Sequence, residues 1–120
     1  MKVQQMKDKT NCATFTERNF QDEVLKSEKP VLAIFEADWS GTCDIMTPIM
    51  ESLCMEFKDR VKIGIIDIDR SGKLAEEYRV STIPAIFFFS KGKIVEHLTG
   101  LLPRQVIVDK INNMVSSDNR

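Results

Sequence analysis

Apolar and polar positions change rhythm several times along this chain, and each rhythm implies an element. Val31-Leu32-Ala33-Ile34-Phe35 is an unbroken apolar run. Such a run reads as a strand covered on both faces, as in parallel sheets. Met46, Ile49, Met50, Leu53, Cys54 and Phe57 then repeat at i, i+3, i+4, i+7, i+8 and i+11. That spacing gives one buried helical face from about Gly41 to Lys58. Pro48 interrupts it, removing a backbone hydrogen bond and kinking the helix. Val61 to Asp69 reads as a second apolar strand, so strand, helix and strand form a parallel unit with a right-handed crossover.

The flanking segments fall into place around this unit. Met1 to Asn11 is polar and expected to be a flexible tail. Cys12-Ala13-Thr14-Phe15 suits a short edge strand. Thr16 suits an N-cap, and Phe20, Val24 and Leu25 supply an apolar stripe for a first helix that stops before Lys29-Pro30. Ser71 to Tyr78 is a short helix with Leu74, Ala75 and Tyr78 inward. Ala85 to Phe89 is a strand, Lys91-Gly92 a tight turn, and Lys93 to Leu98 its antiparallel partner. Pro103 suits the start of a last helix with a core face of Ile107, Val108, Ile111, Met114 and Val115. Ser116 to Arg120 is expected to fray. The order β-α-β-α-β-α-β-β-α predicts one mixed sheet with helices on both faces. The expected division is a tail over 1–11, one domain over 12–116 and a frayed end over 117–120.

Composition narrows the function classes. The chain has 120 residues, 42% of them hydrophobic, and a formal net charge of −1. That length fits one domain with a real core. The charge balance argues against non-specific nucleic-acid binding, which needs a basic surface. The longest apolar runs are far too short to span a bilayer, and no signal-type segment opens the chain. A cytoplasmic protein without nucleic-acid or membrane partners is expected. One His and three scattered Cys give no metal-ligand spacing, and no cofactor is implied.

The chemistry concentrates between the first long strand and the long helix, in Trp39-Ser40-Gly41-Thr42-Cys43. A helix start gathers free N–H groups and the positive end of the dipole, which favour a thiolate at Cys43. Burial and the neighbouring Asp44 and Asp38 oppose it, so a sluggish thiol is expected. A partner thiol three residues earlier would make a redox pair, but Ser40 stands there. A hydroxyl needs a base to act as a nucleophile, and the only His, His97, lies on the last strand. Capping the helix is the simpler role for Ser40. Cys43 and Cys54 share a helix face ~16 Å apart along the axis, beyond the roughly 7 Å Cα separation that a disulfide spans. Cys54 is assigned to the core. Cys12 is read as a free surface or edge thiol, and an odd cysteine count gives no disulfide framework.

From about Phe15 to Val115 the chain resembles a thioredoxin. Trp39, Gly41 and Cys43 stand where the family motif Trp-Cys-Gly-Pro-Cys has them. Pro48 resembles the family's kink proline, Asp67-Ile68-Asp69 the end of its next parallel strand, and Ile83-Pro84 its cis-proline loop. Phe88 to Lys93 resembles the hairpin, and Gly100 the glycine beside the active site. The resemblance implies an α/β thioredoxin fold with a single mixed sheet of four to five strands flanked by about four helices.

It also implies the chemistry to be tested. In the family the first Cys attacks a disulfide and the second resolves the intermediate. Ser40 occupies the attacking position, and Cys43 is the residual thiol. Ile34 stands for a buried Asp, Ile65 for a Lys and Thr42 for the motif proline. The pattern implies weak or absent dithiol exchange on a retained groove formed by Trp39, Gly41, Thr42, Ile83, Pro84 and Gly100, with Leu101 and Leu102 extending its rim. A protein or peptide segment is the expected occupant, with a thiol reductant as a second candidate partner. The alternative is a monothiol oxidoreductase using Cys43 with an external or partner thiol.

Overall fold

A computed structural model describes residues 12–118. The expected tail over 1–11 and the last two residues lie outside them. Five strands and four helices alternate in the expected order. They are β1 (Ala13–Thr14), α1 (Gln21–Leu25), β2 (Val31–Glu36), α2 (Gly41–Phe57), β3 (Lys62–Asp67), α3 (Gly72–Glu77), β4 (Ala85–Ser90), β5 (Lys93–Thr99) and α4 (Arg104–Asp118).

One five-stranded sheet runs in the order β1-β3-β2-β4-β5. β1 and β2 each pair parallel with β3. β4 pairs antiparallel with β2, and β5 with β4. The apolar run of β2 is explained by this central place. Leu32 and Ile34 face one cluster, with Met46, Met50, Leu53 and Phe57 of α2 and Ile107 and Ile111 of α4. Val31, Ala33 and Phe35 face the other, with Phe15, Phe20, Val24 and Leu74. Alternate side chains on a strand thus supply two layers.

Local chemistry sets the element ends. Thr16 Oγ1 accepts from the Asn19 N–H at 3.3 Å, and Asn19 Oδ1 accepts from the Thr16 N–H at 2.7 Å. This reciprocal pair closes the turn before α1, so Thr16 does not cap the helix itself: α1 is a wide π-type helix whose N-cap, Phe20, has no side-chain cap bond. Lys91 (φ 51°) and Gly92 (φ 82°) both take positive φ, as a tight type I′ hairpin requires. Gly64 is demanded by a close approach, since a Cβ there would meet the Phe15 ring at 2.4 Å. The helix α2 continues through Pro48 to Phe57, so the proline does not end it. β3 stops at Asp67, short of the expected Asp69, because Asp67 Oδ1 accepts from the Asp69 N–H at 2.8 Å and turns the chain. α4 runs through Ser116 and Ser117 to Asp118, into the stretch expected to fray.

The largest correction concerns the cysteines. Cys12 is not a free thiol, and Cys54 is not a lone core residue. They form a disulfide, with an S–S distance of 1.97 Å and a Cα–Cα distance of 5.2 Å. The pairing of β1 beside β3 brings Cys12 onto the face that α2 covers, where Cys12 packs against the cluster holding Cys54. Cys54 remains buried, as its helical position requires.

Candidate functional site at the start of α2

Strand register assembles this site. Glu36, the last residue of β2, pairs with Asp67 of β3. Phe35 pairs with Ala85, the first residue of β4. The turn after β2, the turn after β3 and the Ile83-Pro84 loop therefore leave the sheet at one end. The Ile83–Pro84 peptide is cis. Gly100, at φ 85°, donates its N–H to the Pro84 carbonyl at 2.8 Å, which holds it beside that loop. Trp39 is 68% exposed. Its indole N–H donates to Asp69 Oδ2 at 2.9 Å, tying the β2 turn to the β3 turn. Leu101 is exposed nearby in sequence, whereas Leu102 packs against the α2–α4 cluster.

Ser40 is the N-cap of α2. Its backbone is extended (φ −93°, ψ 118°) and its hydroxyl accepts from the Cys43 N–H at 3.2 Å. That bond satisfies one of the free N–H groups of the first turn. Cys43 is a free cysteine at 2% exposure. Thr47 Oγ1 donates to its carbonyl at 3.0 Å. Gly41 is exposed and Thr42 half-buried, while Ile83 is half-buried and Pro84 buried. His97 lies elsewhere, exposed on β5 and stacked on Phe87 at 4.1 Å. Phe87 belongs to the sheet face opposite α2.

Glu36 is the functional candidate that reading the residues did not single out. It follows Ile34 on the same side of β2, the side α2 covers. Burial, then the negative charges of Asp38, Asp67, Asp44 and Glu51, raise its carboxyl from 4.5 to about 7. A carboxyl in this range is partly protonated near neutral pH and can hold or release a proton beside the α2 start. Its sequence signal is slight: one carboxylate ending an otherwise apolar strand.

Among the described residues, no group of three or more His, Cys, Asp or Glu is placed to hold a metal. None of the described helices is long and apolar enough to cross a membrane.

Comparison with known proteins agrees with this geometry. The thioredoxin family model matches residues 11–113. A thioredoxin of Chlorobaculum thiosulfatiphilum is 33% identical over 100 residues, covering 83% of this chain and 93% of the relative. A thioredoxin of Rickettsia bellii (strain RML369-C) is 32% identical over 104 residues, covering 87% and 99%. A thioredoxin of Rickettsia felis is 35% identical over 100 residues, covering 83% and 95%. The sheet, the strand–turn–helix junction and these matches define one class, and the chain belongs to the thioredoxin family.

Proposed function

We propose that the protein is a thioredoxin-like redox protein whose main retained activity at the α2 start is binding an extended polypeptide. The groove is the rim formed by Trp39, Gly41, Thr42, Ile83, Pro84 and Gly100. Its occupant is a segment of a protein partner, held by backbone pairing in the manner of strand addition. Dithiol–disulfide exchange at this place is weak or absent. The observation that carries the reading is Ser40: its hydroxyl is engaged as a helix cap three residues before a buried, free Cys43. Attack on a disulfide needs an exposed thiolate, and Ser40 supplies none.

This reading confines the weakness to the α2 start. A disulfide does exist in the chain, between Cys12 and Cys54, so the protein is not without redox chemistry. The bridge also bears on the proposed cytoplasmic location. Cytosolic disulfides are mostly transient, catalytic or redox-sensing, so a cytoplasmic setting gives the bridge a responsive role.

The test is reduction of a protein disulfide with dithiothreitol as electron source, comparing the native chain with Ser40→Cys. Cys43→Ser should leave the native chain's rate unchanged, so that nothing above background arises at the α2 start, and Ser40→Cys should turn over. Turnover by the native chain that Cys43→Ser abolishes would replace this reading with a monothiol oxidoreductase. Binding is read separately, by titrating an unfolded polypeptide and following Trp39 fluorescence. No response to saturating polypeptide would remove the groove from the proposal.

A further inference from the structure

Cys12 and Cys54 differ in their surroundings. Cys54 is 1% exposed within the α2–α4 core. Cys12 is only partly buried, just before a two-residue strand that forms one edge of the sheet. Its Sγ lies 3.7 Å from the Met50 carbonyl oxygen, at the margin of the cluster it packs against. Cys12 is therefore the more accessible residue of the bridge and Cys54 the shielded one.

We propose that the Cys12–Cys54 bridge is a thiol–disulfide exchange site apart from the α2 start, opened at Cys12 by an incoming dithiol. The inference does not depend on whether the α2 start binds a polypeptide. The attacking thiolate forms a bond to Cys12 Sγ, and the Cys12–Cys54 bond breaks. The electron pair leaves on Cys54, which takes up a proton, since its apolar surroundings disfavour a thiolate. The second thiol of the incoming molecule, on losing its proton, attacks the mixed disulfide and releases Cys12, which is protonated in turn. The dithiol ends as a disulfide and this chain gains two thiols. Cys43 is no internal substitute for the incoming thiol, because eleven helical residues put it ~16 Å from Cys54 along the axis.

The next anchor limits what reduction can loosen. Phe15 is 1% exposed on the opposite face of the sheet and donates its N–H to the Ile65 carbonyl at 2.9 Å. Loosening is confined to Cys12, Ala13 and Thr14, and the remaining four strands keep their pairing.

The experiment uses the full chain in native buffer with increasing dithiothreitol. A brief pulse of N-ethylmaleimide follows, and the cysteines are mapped by mass spectrometry. Before reduction, only Cys43 should label, and only after denaturation. After reduction, Cys12 should label under native conditions about tenfold faster than Cys54 or Cys43, as their exposures order them. Circular dichroism should stay unchanged, and hydrogen exchange should rise at Ala13 and Thr14 but not in β2. As a second arm, Cys54→Ser should take up glutathione from glutathione disulfide at Cys12, whereas Cys12→Ser should resist it at Cys54. Three free thiols before reduction would overturn the proposal. So would a bridge that opens only when the chain unfolds, or Cys54 labelling as fast as Cys12.

Discussion

Two cysteines on one helix have opposite fates. Cys43, in the first turn of α2, is free, and a serine stands where a neighbouring thiol would have paired with it. Cys54, in the last turns of the same helix, is bridged to a residue 42 positions away. The first outcome is set locally, by what lies three residues earlier. The second is set by the sheet, because β1 must lie on β3 before Cys12 can reach α2. The same helix thus carries a free thiol at its start and a bridged one towards its end.

The largest effect that can break this contrast is loss of the bridge. Closing a loop of 42 residues lowers the entropy of the unfolded chain and stabilises the fold by about 4 kcal/mol in the chain-entropy model. Urea unfolding of oxidised and reduced protein should differ by roughly 2–4 kcal/mol. The reduced chain should remain folded, since domain stabilities run to about 5–15 kcal/mol. A difference below about 1 kcal/mol would show that the unfolded chain is already restrained, or that the bridge holds little.

The next effect moves the contrast in the other direction. Ser40→Cys places a thiol at the dipole end of α2 beside Cys43, where a thiolate is favoured. Disulfide reduction should rise about a hundredfold over the native chain, which corresponds to ~2.7 kcal/mol of barrier. A bridge to Cys43 forming without turnover would instead point to Ile34 and Ile65, two apolar residues that give a proton nowhere to go. The two variants separate a missing nucleophile from a missing proton path.

The contrast also shows which features can be read along a chain and which cannot. The unbroken run Val31–Phe35 announced a strand with two covered faces, and both faces are covered. The spacing from Met46 to Phe57 gave the buried side of α2, and Lys91-Gly92 gave the hairpin turn. Ser40 as a cap was legible because the bond it makes spans three residues. The Cys12–Cys54 bridge was not legible, because its geometry depends on strand register and not on spacing. The end of β3 was missed for a smaller reason: Asp67 competes for the Asp69 N–H with its side chain, which residue type alone does not reveal. Glu36 was missed because its character comes first from burial at the end of β2 and then from four other carboxylates, on a turn, on β3 and on α2.

Glu36 provides the third prediction. Its folded value lies near 7, against 4.5 when unperturbed. Below pH 4.5 it is protonated in both states and costs nothing. Between 4.5 and 7 the unfolded state releases the proton first, so stability falls as pH rises, and the penalty is complete above 7. Replacement by Gln removes the charge and should stabilise the protein by about 1–3 kcal/mol at pH 8, with little change at pH 4. Thermal unfolding of both proteins across this range is the check. Parallel stability curves would mean that Glu36 escapes to solvent. If instead Glu36→Gln also lowers the turnover of Ser40→Cys, the carboxyl takes part in moving protons at the α2 start.

The smallest effect concerns the role of Ser40 in the protein as it stands. If the serine is a cap, removing its oxygen leaves the Cys43 N–H without the partner it has at 3.2 Å. Ser40→Ala should then cost about 1 kcal/mol, whereas Ser40→Gly should cost only a few tenths, because glycine is itself tolerated at this position. Chemical denaturation resolves differences of this size when the slopes are equal. Polypeptide binding should be unchanged in both variants, since the proposed groove, formed by Trp39, Gly41, Thr42, Ile83, Pro84 and Gly100, does not include the hydroxyl. Negligible costs for both Ala and Gly would show that the oxygen contributes nothing beyond its place in the turn. A loss of binding with stability intact would instead make Ser40 part of the groove, and the two ends of α2 would differ in function as well as in their cysteines.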